Sequence, residues 1–220
     1  MEKYYDILSI CPLFEKIGRE NFGKMLRCFG ARVVSVKKGA AIFHEGQAAS
    51  KVGIVLSGTI HTVQDDYLGN RSILSMTGPG QLFAEGFACA GVDSLPVSMV
   101  AAADSQIMLI DCSHIMTLCH HACTFHNQMI RNMLCSVARS NLQLNQKIEI
   151  LSKRTTREKV MAYLLSEANI QGSDSFTIPY DRQELADFLG VERSAMSTVI
   201  GKLRDDGFIK VHRRHFQLIR

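Results

Sequence analysis

A long stretch without any helix breaker constrains the fold of this chain most. Between Ser113 and Ser152 there is neither proline nor glycine, and apolar residues recur at steps of three, four or seven. This pattern predicts one long amphipathic helix. At about 1.5 Å per residue it would extend for roughly 55 Å, more than the preceding domain can cover, so part of its stripe needs a partner. A second copy of the helix is the simplest partner; the alternative is a break near His120 that makes two core helices.

Before this stretch, short apolar runs alternate with glycines. Runs of about three to six residues at this spacing predict an all-β sandwich or roll, with glycines in the tight turns. The alternation seen in residues 59–64 would give each strand one face for a core and one for solvent or ligand. The predicted strands are 33–36, 41–43, 52–56, 59–64, 72–76, 81–83, 97–101 and 106–110.

After the long stretch, a capping box over residues 155–158 opens a helix that Gly172 ends. A short strand over 176–179 follows.

Two further helices form the most informative motif. Asp181 is placed as the N-cap of a helix over 182–189, and Gly190 as its left-handed end. A second helix is expected from Ser194 to about Asp205. Small and branched apolar residues on both helices favour a steep crossing around the short turn. The spacing is that of a DNA-reading helix-turn-helix.

The second helix would carry its polar residues on one side, where an arginine and short hydroxyls suit the major groove. Two alternating runs, 208–211 and 215–219, predict a basic hairpin beside it, a wing whose cations lie against phosphates. The alternative is a three-helix core with a solvated charged face. The candidate DNA-binding residues are Arg193, Ser194, Ser197, Thr198, Lys202, Gln183, Arg213 and Arg214.

Composition and charge agree with a two-domain globular chain. The 220 residues are 46% hydrophobic and 21% charged, and neither a membrane span nor a signal peptide is expected, which favours a cytoplasmic protein. Residues 1–151 hold 13 basic against 12 acidic side chains, whereas residues 152–220 hold 12 against 9. Seven cysteines without a repeated spacing indicate free thiols in a reducing compartment.

The whole chain resembles the Crp-Fnr family of regulators, most strongly over 182–187, at Arg193 and over 203–209. The resemblance implies an α+β fold: an antiparallel β-roll of the double-stranded β-helix type (1–112), a long dimerisation helix (113–152) and a winged helix-turn-helix (153–220). It gives Arg193 the base-reading arginine position. Ser194 stands where glutamate is common and Thr198 where arginine is, so the usual family half-site is not expected.

The effector region departs from the family's nucleotide pocket. Glu85 matches the acid that binds ribose in cyclic-nucleotide-binding members, but Leu95 occupies the position of their phosphate-binding arginine. A buried phosphate without a paired cation is severely unfavourable, so cyclic nucleotide is rejected as the effector. The pocket could bind another small molecule, or Phe83, Phe87 and Met99 could fill it as core. The candidate pocket residues are Phe83, Ala84, Glu85, Leu95 and Val97.

A second candidate sensor is the segment 119–126. On one helix Cys119, Cys123 and His126 would lie on one side, near the ligand spacing for zinc, or with one member on haem iron. No fourth ligand is evident, and buried cysteines often serve only in packing. No metal ion is therefore assigned.

These features together predict a homodimeric transcription regulator. The expected partners are double-stranded DNA with a pseudo-palindromic site, a second copy of the chain and RNA polymerase, with no membrane partner; the cofactor is unknown. One rival is a small-molecule, haem, metal or redox-binding signalling protein whose helix-turn-helix makes only protein contacts. Another is an enzyme using the Cys-His segment, for which no base, nucleophile and orienting group have convincing spacing.

Overall fold

All eight predicted strands form, and they build the two antiparallel sheets of a β-roll. The computed structural model describes residues 2–69, 71–117 and 125–219. The sheets have the strand orders β1-β8-β3-β6 and β2-β7-β4-β5. The strands are β1 (Arg32–Val36), β2 (Ala41–Phe43), β3 (Lys51–Ser57), β4 (Ile60–Asp65), β5 (Arg71–Thr77), β6 (Leu82–Phe83), β7 (Ser98–Ala101) and β8 (Ser105–Asp111).

The sheet that contains β3 and β8 is buried on both faces. Val52 and Ile54 of β3 face one hydrophobic cluster, and Val55 faces the other. In β8, Met108 lies in the same cluster as Val52 and Ile54, and Ile107 lies in the cluster of Val55. The expectation of one core face and one open face is therefore wrong for these strands, because helices cover the side that a free-standing roll would expose to water.

Those helices come from the N-terminus, from the segment after β6 and from the segment after β8. They are α1 (Tyr5–Ser9), α2 (Phe22–Cys28), α3 (Glu85–Ala90) and α4 (Cys112–Met116), with 3-10 turns at Glu2–Tyr4, Pro12–Phe14 and Arg19–Asn21. Phe14, Phe22 and Phe29 are at most 2% exposed. They pack in one hydrophobic cluster with Met129, which lies in the long helix after α4. The N-terminal segment is thus a helical cover for the roll.

The single long helix expected over residues 113–152 is interrupted. Helix α4 ends at Met116, and Thr117 is extended, with φ −94° and ψ 122°. The long helix α5 begins at His126 and ends at Leu151. The expectation of one uninterrupted helix is wrong, because the spacing of apolar residues gives no sign of the extended backbone at Thr117. The alternative, a break near His120, falls in residues 118–124, which lie outside the described residues.

A buried asparagine fixes α5 to the N-terminal cover. The Asn132 side chain donates hydrogen bonds to the carbonyl oxygens of Leu13 and Glu15, both at 2.8 Å. Asn132 is 5% exposed, so these bonds satisfy two backbone groups that water does not reach. The first half of α5 therefore belongs to the same body as the roll.

The chain divides into two compact units, residues 1–70 with 74–142 and residues 71–73 with 143–220. The second contains the last part of α5, helices α6 (Thr156–Gln171), α7 (Arg182–Leu189) and α8 (Arg193–Asp205), and a three-stranded antiparallel sheet. The sheet order is β10-β11-β9, with β9 at Ser175–Thr177, β10 at Ile209–His212 and β11 at His215–Leu218. The capping box at Thr155 and the left-handed end at Gly172 are both confirmed.

Candidate nucleic-acid interface and sensor pocket

A capped turn joins α7 to α8. The Asp181 carboxylate accepts hydrogen bonds from the backbone amides of Gln183 at 2.8 Å and Glu184 at 2.9 Å. The Glu184 carboxylate accepts one from the Asp181 amide at 2.7 Å, which completes a capping box. Gly190 is left-handed, with φ 59°, and ends α7. The predicted cap and turn are confirmed.

Glu192, which the sequence reading missed, caps α8. Its carboxylate accepts hydrogen bonds from the amides of Ser194 at 3.0 Å and Ala195 at 2.8 Å, and from the Ser194 hydroxyl. These bonds, the hydroxyl's first, hold the pKa of Glu192 below its usual value. Helix α8 therefore begins at Arg193, one residue before the predicted start. Glutamate is not a favoured N-cap residue, so residue preference gave no signal for this role.

Helix α8 separates its apolar and polar residues cleanly. Met196, Ile200 and Leu203 are at most 4% exposed and form its inner side. The polar side of α8, the start of α7 and the tip of the wing leave every predicted DNA-binding side chain exposed to solvent. The exposed residues are Gln183, Arg193, Ser194, Ser197, Thr198, Lys202, Arg213 and Arg214.

Several of these polar groups already have partners within the chain. The Ser194 hydroxyl is bound to the cap, and the Thr198 hydroxyl donates to the Ser194 carbonyl oxygen at 3.0 Å. The Gln183 side chain donates to Asp187 at 2.8 Å. Among the described residues, Arg193 has no side-chain hydrogen bond. Arg193 can therefore engage a ligand without breaking a hydrogen bond within the chain.

The wing is a tight hairpin with two arginines at its tip. Strands β10 and β11 pair from Ile209 with Leu218 to His212 with His215. Arg213 adopts a left-handed φ of 55°, which reverses the chain within two residues. The Arg214 guanidinium donates to the Pro179 carbonyl oxygen at 3.1 Å. This bond ties the wing to the segment just before α7.

An aromatic cluster supports α7 from behind. Phe188 stacks on Tyr180 with ring centroids 4.9 Å apart and contacts Tyr163 at 5.5 Å. The Lys147 ammonium of α5 lies 4.0 Å from the Phe188 ring centroid and donates to the Ile73 carbonyl oxygen. Burial lowers the pKa of Lys147 to about 8. The helix-turn-helix is thus held on the end of α5 by packing and a buried cation.

The five candidate effector-pocket residues are all buried, but they form packed core. Phe83 is 3% exposed, and the centroid of its ring lies 6.1 Å from that of Phe43. A Cβ atom at Gly53 would lie 2.0 Å from Cζ of Phe83, so the ring rests directly on the glycine backbone. Leu95, at the family's arginine position, is 1% exposed. A surface cavity of about 710 Å³ is lined by residues from the first 3-10 turn to the start of β1 and includes none of the five.

Glu85 is the charged member of this group, and it is not open to solvent. It is 8% exposed, and its carboxylate accepts a hydrogen bond from the Ser140 hydroxyl of α5 at 2.6 Å. Ala84, just before it, has a left-handed φ of 65° and starts α3. Ser140 was not predicted, since no local pattern links residues 55 positions apart. The candidate ribose-binding acid is here engaged with the long helix.

The Cys-His segment can be followed only at its end. Residues 118–124, which include Cys119 and Cys123, lie outside the described residues. His126 is 2% exposed, its Nε2 lies 3.2 Å from the His114 carbonyl oxygen, and its ring contacts Phe29 at 5.1 Å. Across residues 2–69, 71–117 and 125–219, no three histidine, cysteine or acidic side chains converge at metal-binding distance.

Comparison with known proteins agrees with both halves of this description. Two family models match, the cyclic nucleotide-binding domain over residues 33–122 and the Crp-like helix-turn-helix domain over residues 158–220. A cyclic AMP receptor protein from Thermus thermophilus is 25% identical over 201 residues, which cover 91% of this chain and 88% of the relative. The transcriptional activator protein FnrA from Stutzerimonas stutzeri is 22% identical over 189 residues, covering 84% and 75%. The chain belongs to the Crp-Fnr family of transcription regulators.

The fold of this Crp-Fnr regulator agrees with a solved relative. The structure of FixK2 from Bradyrhizobium japonicum superposes with a TM-score of 0.68 at 21% identity, covering 86% of this chain and 93% of that one. Within the described ranges, no helix has the length and apolar character that crossing a membrane requires. The matches to the two family models identify the protein as a DNA-binding transcription regulator with a cyclic-nucleotide-binding-like domain.

Proposed function

We propose that this Crp-Fnr regulator is a homodimer that binds a pseudo-palindromic DNA site by sequence and answers to a signal other than cyclic AMP. The observation that carries the proposal is the exposed polar face of α8, with Arg193 unengaged at its N-terminal end. Two such helices, one from each protomer, enter successive major grooves. RNA polymerase is the further partner we expect, with regulation rather than catalysis as the output.

The reading of bases rests on Arg193. A guanidinium at the start of a recognition helix can donate to O6 and N7 of one guanine, which discriminates the base pair. Lys202, Arg213 and Arg214 are exposed cations suited to phosphates, which carry affinity without sequence information. Because the hydroxyls of Ser194 and Thr198 are used within the helix, Arg193 and Ser197 are left for direct readout.

Dimerisation is supported by a partly exposed, mainly apolar seam along α5. Seven positions follow alternating steps of four and three, the heptad spacing of a coiled coil. Leu134 and Ile148 on this seam are 69% and 63% exposed, and Leu144 is 53% exposed. Asn141 lies at its centre, and a single central asparagine fixes helix register and favours two strands. The seam residues are Ile130, Leu134, Val137, Asn141, Leu144, Ile148 and Leu151.

The argument against cyclic AMP rests on charge. Leu95 supplies no cation for a phosphate, and Glu85 is bound to Ser140. Binding a cyclic nucleotide there would leave its phosphate unpaired next to a carboxylate and a filled apolar interior. The signal is therefore of a different chemical class.

Substitution of Arg193 tests the reading of DNA. The probe is the set of fragments upstream of the protein's own operon, titrated over a range of salt concentrations. Arg193→Ala is expected to weaken specific binding by about 1–3 kcal/mol per half-site and to leave non-specific binding nearly unchanged. The matched control is Arg204→Ala, because Arg204 is an exposed arginine at the other end of α8 that pairs with Asp205 at 2.8 Å.

If Arg193→Ala and Arg204→Ala weakened specific DNA binding equally, the base-reading role of Arg193 would be contradicted. Absence of any sequence preference in the unmodified protein would favour the rival reading, in which the helix-turn-helix makes protein contacts.

The cap of α8 offers a second test. Glu192 places a negative charge beside Arg193, where DNA phosphates would approach, and at about 8 Å in water such a repulsion costs roughly 0.5 kcal/mol. Glu192→Gln retains the side-chain shape and an acceptor oxygen, so we expect two- to threefold tighter DNA binding at low salt. The control, Asp205→Asn, removes the same charge at the far end of α8. Weaker binding of Glu192→Gln would mean that the charge of the cap matters more for helix geometry than for repulsion.

A further inference from the structure

Two cysteines lie together where α3 meets α4. The Sγ atoms of Cys89 and Cys112 are 3.6 Å apart, close enough for one thiol to donate a hydrogen bond to the other. Cys112 is 4% exposed, whereas Cys89 is only partly buried. Neither cysteine lies in the helix-turn-helix or the wing.

We propose that Cys89 and Cys112 form a reversible dithiol–disulfide site that reacts with low-molecular-weight disulfides. The distance between the sulfur atoms must shrink by about 1.5 Å to reach the bond length of a disulfide. Helix α3 can supply this movement, because it has only six residues and both ends are left-handed, at Ala84 and Gly91. The two cysteines can therefore form a disulfide without a large rearrangement of the fold.

The order of reaction follows from accessibility. The Cys89 thiolate attacks one sulfur of the small disulfide and releases one small thiolate, which takes up a proton. Cys112 then loses its proton and attacks Sγ of Cys89, which releases the second small thiol and forms the internal disulfide. Two protein thiols are oxidised, and one small disulfide is reduced to two thiols. No further oxidant is needed.

The reduced pair is stable at rest. Burial raises the pKa of Cys89, and it raises the pKa of Cys112 to about 12, because a thiolate is poorly solvated between α3 and α4. Exchange is therefore slow in comparison with that of an exposed, low-pKa thiol. The pair would therefore respond to a sustained change in the ratio of small disulfides to small thiols rather than to a brief pulse of oxidant.

The position of Cys89 connects this chemistry to the long helix. Cys89 lies one helical turn after Glu85, which accepts the Ser140 hydrogen bond from α5. Drawing Cys89 toward Cys112 moves α3 and changes the Glu85–Ser140 contact. The regulatory consequence rests on the proposed function, in which α5 joins the two protomers.

Disulfide mapping of the full-length protein tests the site directly. The reduced protein is incubated with oxidised glutathione, alkylated and digested with endoproteinase Asp-N and chymotrypsin, which cleave at Asp93, Asp104 and Asp111 and after Leu118. Trypsin is unsuitable because no lysine or arginine lies between residues 72 and 130. The expected product is a Cys89–Cys112 cross-linked peptide. Alkylation of both thiols, a glutathione adduct alone, or linkage of either one to another cysteine would overturn the proposal.

Variants separate this site from the other thiols. Cys89→Ala and Cys112→Ala are each expected to abolish the internal disulfide, whereas Cys135→Ala, which removes an exposed thiol of α5, leaves it intact. Since mapping the unmodified protein needs no variant, unstable alanine variants would not affect the result.

DNA titration then tests regulation separately. We expect the affinity of oxidised and reduced protein to differ about fivefold or more. Equal affinities with the disulfide formed would overturn the regulatory role. A reduced protein that fails to bind DNA at all would count against the proposed function instead.

Discussion

Exchanging Leu134 and Ile148 for glutamate is expected to separate the proposed dimer into monomers. Both side chains are more than half exposed in the single chain and lie on the seam of α5. Burying such side chains contributes about 1.5–3 kcal/mol each, and a dimer buries two copies of both. The variant would instead place four carboxylates in the interface. We expect the dimer dissociation constant to rise by more than about a thousandfold, which corresponds to roughly 4 kcal/mol.

Sedimentation velocity and DNA titration of the same samples measure both consequences. A monomer contacts only one half-site, so specific DNA affinity should fall by two orders of magnitude or more, on the order of 3 kcal/mol. Leu142→Glu is the matched control, since Leu142 is 68% exposed but lies one residue beyond the seam position Asn141. A variant that stays dimeric would contradict the proposed interface.

Gly53→Ala is expected to destabilise the roll by about 1–3 kcal/mol or more. The new methyl group would meet Cζ of Phe83 at 2.0 Å and Cε1 at 2.2 Å. Phe83 cannot swing away, because it is 3% exposed and packed among side chains of both sheets. The conformation of Gly53 is not left-handed, so the reason for glycine is the close approach of the ring. Urea unfolding of the two proteins gives the difference in free energy.

A second substitution should partly reverse this effect. Leucine at position 83 is shorter than phenylalanine, so Gly53→Ala combined with Phe83→Leu should cost less than the sum of the two single changes. Gly86→Ala is the control, because a Cβ atom there meets nothing within 4 Å and the residue lies in helix α3. If the losses in unfolding free energy at positions 53 and 83 were additive, the ring and the glycine would not interact as described.

The sequence predicted local elements well where each residue type has a specific conformational effect. Gly172 and Gly190 end their helices in left-handed conformations, and Asp181 completes a capping box. The strands followed from alternation and glycine spacing, and the wing from two alternating runs. These features depend on neighbours within a few residues, which a single sequence displays directly.

What escaped prediction depends on tertiary contacts. The N-terminal helices cover a sheet that was expected to face solvent on one side, so burial on both faces could not be read from alternation in one strand. Glu192 caps α8 against residue preference. The Ser140–Glu85 bond joins residues far apart in sequence, as does the contact of Cys89 with Cys112. Only the folded arrangement brings such groups together.

The filled interior of the roll also bears on how the protein persists in a cell. Phe83 against Gly53, and Leu95 in place of a cation, complete the core with the chain's own side chains. A receptor whose core is completed by its ligand gains stability as that ligand accumulates and is degraded when it is scarce. Here the chain's own side chains pack the core around Phe83, so we expect the thermal stability of the regulator to change little when its signal is present.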